Sequence, residues 1–404
     1  MILISLSGYR INYPAEIRTI YSIHKNNDIK GVTLLLNGID VLIAKNCSLL
    51  DGRKIGLITN HTGITKSIQP NWQVLLESTN IKLKALFSPE HGFFGSVQDT
   101  LKVASYIHKP SGLPIFSLFD NTSEPTAEML SEIDTLVFDI QDVGVRFYTY
   151  GVTMVNSYKK ALEHNLDFII LDRPNPLGRV IRGNILEKEA ASFLGLENLA
   201  WQHGLTLGEL GLLYSESSHP PLVIRCEDYD PKKAFTSYNL PWVAPSPNIP
   251  SLNTIKVYPG TCLFEGTNVS EGRGTTQPFE IIGAPFLNGH ELSLRLNSLN
   301  IPGVYFRAVE FIPTFWRYQD IKCEGVCLHI IDDSTFDPVY TGIAMISHLL
   351  NNCPEFKINT ARFNALAGKR LYPLLSMLPP KEIQCHFENE LNHFRQKTKP
   401  FLLY

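Results

Sequence analysis

The 404-residue sequence has no long hydrophobic run: no stretch approaches the roughly 20 consecutive apolar residues that a membrane-spanning helix requires. Charge of one sign is also missing. Thirty-six Lys and Arg against 39 Asp and Glu leave a net charge of -3, with no basic stripe that could neutralise a row of phosphates, so nucleic acid is not an expected partner. Cysteine is sparse and odd in number: seven residues, from Cys47 to Cys385, lack the regular spacing of a disulfide framework. Cys323 and Cys327 with His329 lie close in sequence, but they have no second ligand pair and fall in a strand-like run, so packing is the expected role and no metal or cofactor is expected. A Gly-x-Ser-x-Gly elbow is absent, which argues against an esterase, and so is the Gly-Lys-Ser/Thr ending of a phosphate-binding loop. The apolar start, Met-Ile-Leu-Ile-Ser-Leu-Ser-Gly-Tyr-Arg, has neither a basic leader nor a small-residue cleavage site. A cytoplasmic location is therefore the expectation.

What is present is alternation. From about residue 32 to 255, short β-branched runs at 54–59, 83–87, 135–138 and 168–171 are separated by helix-like stretches at about 71–79, 125–133 and 150–164. Nearly continuous apolar strands of this kind are covered on both faces, and helices between them imply parallel crossovers. Residues 114–118 and 222–226 read as further strands, and Thr206-Leu-Gly-Glu209 is a capping box opening another helix. The expected α/β fold is an open, doubly wound, mostly parallel sheet.

A proline-dense segment, 241–250, reads as a connector. Beyond about residue 256 the character changes: a Gly-rich polar segment (260–274), strands near 304–311 and 325–331, then two helices, the later one apolar at Ile383, Phe387, Leu391 and Phe394. This divides the chain into an unassigned extension (1–31), an α/β domain (32–255) and a smaller α+β C-terminal domain (256–404).

Each strong strand runs straight into a polar loop: Asn60-His61-Thr62-Gly63, Ser88-Pro89-Glu90-His91-Gly92, Asp139-Ile140-Gln141-Asp142-Val143-Gly144, and Asp172-Arg173-Pro174-Asn175-Pro176. In open parallel sheets ligands bind beyond the carboxyl ends of the strands, so these loops converge on one candidate site. Glu90 and His91, held between Pro89 and Gly92, are candidate catalytic groups, and Asp139 is a candidate second carboxylate. Asn60, His61, Asp142, Arg146, Tyr148, Arg173 and Asn175 are candidate ligand contacts. The Gly-rich segment offers Asn268, Glu271 and Arg273 as a wall from the second domain, with Glu265 and Glu271 as further carboxylates. Each has a plainer alternative: Glu90 in an ordinary ion pair, Asp139 and Asp142 as caps, His61 bonded to backbone, Arg146 and Arg173 paired with neighbours.

Four segments, Ser88-Pro-Glu-His-Gly-Phe-Phe-Gly95, Asp139-Ile-Gln-Asp-Val-Gly-Val-Arg-Phe-Tyr-Thr-Tyr150, Asp172-Arg-Pro-Asn-Pro176 and Phe264-Glu-Gly-Thr-Asn-Val-Ser-Glu-Gly-Arg-Gly-Thr-Thr276, resemble the hallmark segments of the bacterial exo-β-N-acetylmuramidases, glycoside hydrolases of cell-wall recycling. The resemblance runs from about Gly38 to Tyr404. It implies a Rossmann-like domain and a smaller C-terminal domain with the site in the cleft between them. It also implies release of N-acetylmuramic acid (MurNAc) from the non-reducing end of peptidoglycan fragments, with Glu90 as catalytic acid. Family members are often exported, which makes a periplasmic or exported location the alternative. A non-catalytic protein that binds a peptidoglycan fragment in the same cleft is the rival reading of function.

Overall fold

The computed structural model describes residues 35–99 and 101–404. The extension assigned to 1–31, with its apolar start, lies outside the described residues. The strands are, in chain order, β1 (Lys54–Thr59), β2 (Lys82–Ser88), β3 (Tyr106–His108), β4 (Leu113–Ser117), β5 (Thr135–Asp139), β6 (Asp167–Leu171), β7 (Arg182–Ile185), β8 (Ala200–Gln202), β9 (Leu222–Ile224), β10 (Ile281–Ala284), β11 (Val304–Phe311) and β12 (Cys323–Ile330). Seven of them form one sheet in the order β3-β4-β2-β1-β5-β6-β9, parallel throughout except for β3. From β1 the chain winds one way through β2 and β4, and from β5 the other way through β6 and β9. This Rossmann-like reversal puts the crevice beyond β1 and β5, flanked by β2 and β6.

Side chains alternate across a strand, and the packing follows that alternation. Ile55, Leu57, Val137, Ile169 and Leu171 enter a cluster on one face, with Ile39 and Leu75. Ile58, Leu136, Phe138, Phe168 and Ile170 enter the other, with Val155 and Tyr158 of the helix Tyr150–Glu163. This second cluster continues without interruption through Phe264, Phe279, Ile282, Ile343 and Phe387, so one core joins the sheet to the C-terminal part. There an antiparallel sheet, β10-β12-β11, packs against the helix Gly289–Ser298, and the helices Pro338–Asn352 and Pro380–Thr398 join the same cluster. The antiparallel pair β7–β8 straps the two parts together: Ile185 N–H donates to Glu390 Oε1 (2.8 Å) and Asn184 Nδ2 to the Ala367 carbonyl (2.7 Å).

The main divergence from the sequence reading lies at 252–266. The proline-dense connector gives way at Ser251, which caps the helix Leu252–Thr261 by accepting from Thr254 N–H (3.0 Å), and a 3-10 turn, Cys262–Gly266, follows. Pro259 and Gly260 disguise that helix in the sequence. Pro259 sits in its last turn, and Gly260 lets the backbone meet the helix Pro338–Asn352: a Cβ there would lie 1.9 Å from the Pro338 carbonyl oxygen. The Gly-rich segment is also core: Phe264, Val269, Ser270 and Glu271 are completely buried. Four α-helices, not two, follow β12, because the short Thr360–Ala367 and Leu371–Leu375 intervene. Cys323 and Cys327 are buried on β12, and among the described residues no His, Cys, Asp and Glu group is arranged to hold a metal ion.

Candidate active site

The four polar loops do lie side by side, but they divide into two layers. The upper layer borders a cavity of about 320 Å³. Glu90 and His91 from the β2 loop and Tyr148 and Thr149 from the β5 loop form one side of it. The C-terminal part supplies the other side through Glu265, Arg273 and Arg362. Aromatic rings complete the enclosure, with Phe119 and Phe193 paired at 5.5 Å and Tyr258 edge-on to Phe279 at 4.7 Å. Such apolar walls around a few fixed polar groups are typical of small-molecule sites, and the volume is at the lower end of their range, about 300–1,000 Å³.

Glu90 is only 8% exposed, and its Oε2 accepts a hydrogen bond from Thr149 Oγ1 (2.8 Å). Thr149 is the N-cap residue of the helix Tyr150–Glu163, yet its hydroxyl makes no cap bond. A cap hydroxyl is ordinarily worth about 1 kcal/mol to its helix, so this one is spent on orienting the carboxyl instead. His91 adopts a left-handed backbone (φ 71°), uncommon for a residue with a side chain, and Gly92 follows at φ 76°. That turn carries Glu90 over the strand ends, and His91 Nδ1 meets the Val97 carbonyl (2.9 Å) to close the loop.

The opposite wall is a charge cluster. Arg273 donates to Glu271 Oε1 (2.7 Å), Glu265 Oε1 (2.7 Å) and Asp99 Oδ2 (3.3 Å), with its guanidinium 4.8 Å from the Phe279 ring centre. Arg362 donates to the other oxygen of Glu265. Burial by itself would push the Glu265 carboxyl up, but the two guanidiniums outweigh it and hold it down at about 2. Glu265 is therefore ionised at any working pH. Glu271 is fully buried behind Arg273 and does not border the cavity, so the wall expected from it comes from Glu265.

The lower layer holds the remaining candidates, which bond to one another and to backbone. Asp139 is 0% exposed, bridged by Arg173 Nε (2.5 Å) and by Asn71 Nδ2 (2.8 Å), while Arg173 Nη2 also donates to the Ile64 carbonyl (2.9 Å). Neither borders the cavity. Asn60 Nδ2 donates to the Tyr150 hydroxyl (2.9 Å), which donates to the Pro245 carbonyl (2.7 Å), fixing the connector against the helix that follows Thr149. His61 Nε2 donates to the Ala244 carbonyl (2.6 Å), and burial pushes its pKa down, keeping the ring neutral. Asn175 is held by the Leu205 carbonyl and Leu177 N–H (2.9 Å each), and Asn268 by the Glu355 carbonyl and Lys357 N–H (2.8 and 2.7 Å). Arg146 bonds the carbonyls of Asn184 (2.8 Å) and Leu366 (3.0 Å), and burial lowers its pKa to about 9. Arg173 pairs with Asp139 and not with its neighbour Asp172, Arg146 bonds carbonyls and not Asp142, and Asp139 bonds the side chains of Arg173 and Asn71, while His61 bonds backbone. Sequence reasoning passed over Thr149, Asp99, Arg362 and, in the connector, Ser246 and Asn248, all of which border the cavity.

Asp142 stands apart. Burial raises its pKa to about 7, even though the backbone N–H groups of Gly144 and Val143 pull it down, and its neighbour His203, 3.9 Å away, is pushed by burial to about 3. Near neutrality the two are better described as an acid beside a neutral imidazole than as an ion pair. A carboxyl whose folded pKa lies above its unfolded value favours folding most below about pH 4, and that contribution is lost as pH rises to about 7. The expected outcome is that Asp142→Asn gains stability over wild type between pH 5 and pH 8, by roughly 1 to 3 kcal/mol. Urea midpoints of both proteins at the two pH values measure this; a pH-independent difference would contradict it.

Residues 55–253 match a family model described as exo-beta-N-acetylmuramidase NamZ, N-terminal, and residues 256–404 match the C-terminal model of the same description. The peptidoglycan beta-N-acetylmuramidase NamZ of Bacillus subtilis (strain 168) is 44% identical over 375 residues, which span 91% of this chain and 91% of that protein. Two crystal structures of DUF1343 family proteins from Bacteroides fragilis NCTC 9343 are similar throughout. One has a TM-score of 0.85 at 30% identity and the other 0.74 at 32%, each covering 92% of this chain and 99% of its own.

Proposed function

The chain belongs to the exo-β-N-acetylmuramidase family and is a glycosidase, and from that premise we propose that it releases MurNAc from the non-reducing end of peptidoglycan fragments with Glu90 as general acid. The observation that carries this reading is the placement of Glu90. It borders the cavity at the strand ends and its carboxyl is oriented by Thr149. A volume of about 320 Å³ suits one sugar residue better than a chain, which favours attack at a terminus.

Glycoside cleavage needs a proton for the departing oxygen and a second group at the anomeric carbon. Glu90 supplies the first. Of the three carboxylates considered for the second role, Asp139 and Glu271 lie off the cavity and Glu265 has both oxygens engaged by arginines. Such a carboxylate is a weak nucleophile and a strong electrostatic fixture. The attacking group is then the substrate's own 2-acetamido oxygen or a water molecule that gives its proton to Asp99, the remaining carboxylate bordering the cavity.

Incubation with a MurNAc-containing disaccharide tests the reading: MurNAc is the expected product, and its failure to appear under conditions where a known muramidase works would refute it. Proton transfer requires no metal, so dialysis against EDTA is expected to leave the rate unchanged; loss of activity restored by a single divalent ion would show otherwise.

A further inference from the structure

We propose that Arg362 is the residue that recognises the carboxylate of the lactyl ether on the 3-oxygen of MurNAc, the group that distinguishes this sugar from N-acetylglucosamine. The inference rests on the muramidase reading and assigns it a specificity residue. A carboxylate taken out of water into a cavity requires a cationic partner, and planar guanidinium groups bind carboxylates through two parallel hydrogen bonds.

Four arginines invite consideration, and geometry removes three. Arg146 and Arg173 do not border the cavity; one bonds backbone carbonyls and the other bonds Asp139. Arg273 does border it, but its two terminal nitrogens serve Glu271, Glu265 and Asp99, and its Nε is buried. Its side chain is 6% exposed, with the guanidinium against Phe279. Arg362, on the helix Thr360–Ala367, borders the same cavity with 33% of its side chain exposed. Its one side-chain hydrogen bond among the described residues is from Nη2 to Glu265. A guanidinium has five N–H donors, so an edge of Arg362 remains for a ligand. Among the described residues no lysine borders the cavity.

Glu265 completes the arrangement by fixing Arg362 from one side, in the way that a carboxylate pre-orients a binding group. Net charge alone would not attract an anion here, because Glu265, Glu271 and Asp99 outnumber Arg273 and Arg362. Recognition must then come from the directed hydrogen bonds of the exposed guanidinium edge. A lysine, with its compact charge, should not replace it.

The test compares kcat/KM for a chromogenic β-N-acetylmuraminide and for its lactyl methyl ester, which keeps the shape and loses the charge. Wild-type protein is expected to prefer the acid, and Arg362→Gln to reduce that preference roughly 10- to 100-fold, the range for a hydrogen bond to a charged group. Arg362→Lys should recover little of it, and it carries the test if the glutamine variant does not fold. If Arg362 only braces Glu265, both substrates slow together and the preference stays at its wild-type value, which overturns the proposal. Failure of the wild-type protein to cleave the acid at all would instead count against the muramidase reading.

Discussion

Glu90→Gln protein is expected to lose at least roughly a hundredfold in kcat on a natural MurNAc disaccharide while keeping its fold and its affinity for the product sugar. The exchange is nearly isosteric, and the amide can still accept from Thr149 Oγ1, so the loop turning through His91 and Gly92 has no reason to move. What disappears is the transferable proton. The loss should depend on the leaving group. An alkoxide leaving from a natural sugar needs protonation in the transition state, whereas a nitrophenolate departs with little help, so the deficit should shrink on a nitrophenyl muraminide. This contrast separates an acid from a residue that merely shapes the cavity, because a shape defect would slow both substrates alike. Near wild-type turnover of the disaccharide would remove Glu90 from the acid role.

The parallel core of the fold was legible in the sequence because its signal is local and physical. A strand buried on both faces has to be apolar at nearly every position, and β1, β5 and β6 read that way residue by residue. The capping box at Thr206 and Glu209 was legible for the same reason, both partners lying within one turn. The helix Leu252–Thr261 was not, because Pro259 and Gly260 read as breakers and the reason for Gly260 is a close approach to Pro338 and Gly342, some 80 residues away.

The site shows the same limit. Polar residues at adjacent strand ends announced a site, and Glu90, His91 and Tyr148 do border the cavity. The same signal was produced by residues whose polarity is used underneath, since buried polar groups near a sheet crest must satisfy one another. Asp139, Arg173 and Asn60 cannot be told from cavity residues by composition. Arg362 gave no signal at all: it lies on a short, ordinary helix 272 positions after Glu90 in the numbering, and only the packing of that helix against the turn Cys262–Gly266 brings it to the cavity.

The buried pair Arg173–Asp139 gives the second large expectation, which concerns stability. Arg173→Met should cost about 3–5 kcal/mol, because it strands a fully buried carboxylate whose remaining side-chain donor is Asn71. The pair also holds the Ile64 carbonyl, so the loop after β1 loses its anchor at the same time. Adding Asp139→Asn to Arg173→Met removes the stranded charge, and the double variant should be more stable than Arg173→Met alone although it carries one more substitution. Urea unfolding of the wild type, both single variants and the double variant closes the cycle and yields the coupling directly. Activity measured well below the unfolding midpoint then settles what Asp139 does. If it were the second catalytic carboxylate, Asp139→Asn would abolish turnover in folded protein. The contacts in the structure predict instead that turnover falls only in step with the folded fraction. Additive losses across the cycle would mean that the pair is not coupled, and inactivity of fully folded Asp139→Asn would return Asp139 to the chemistry.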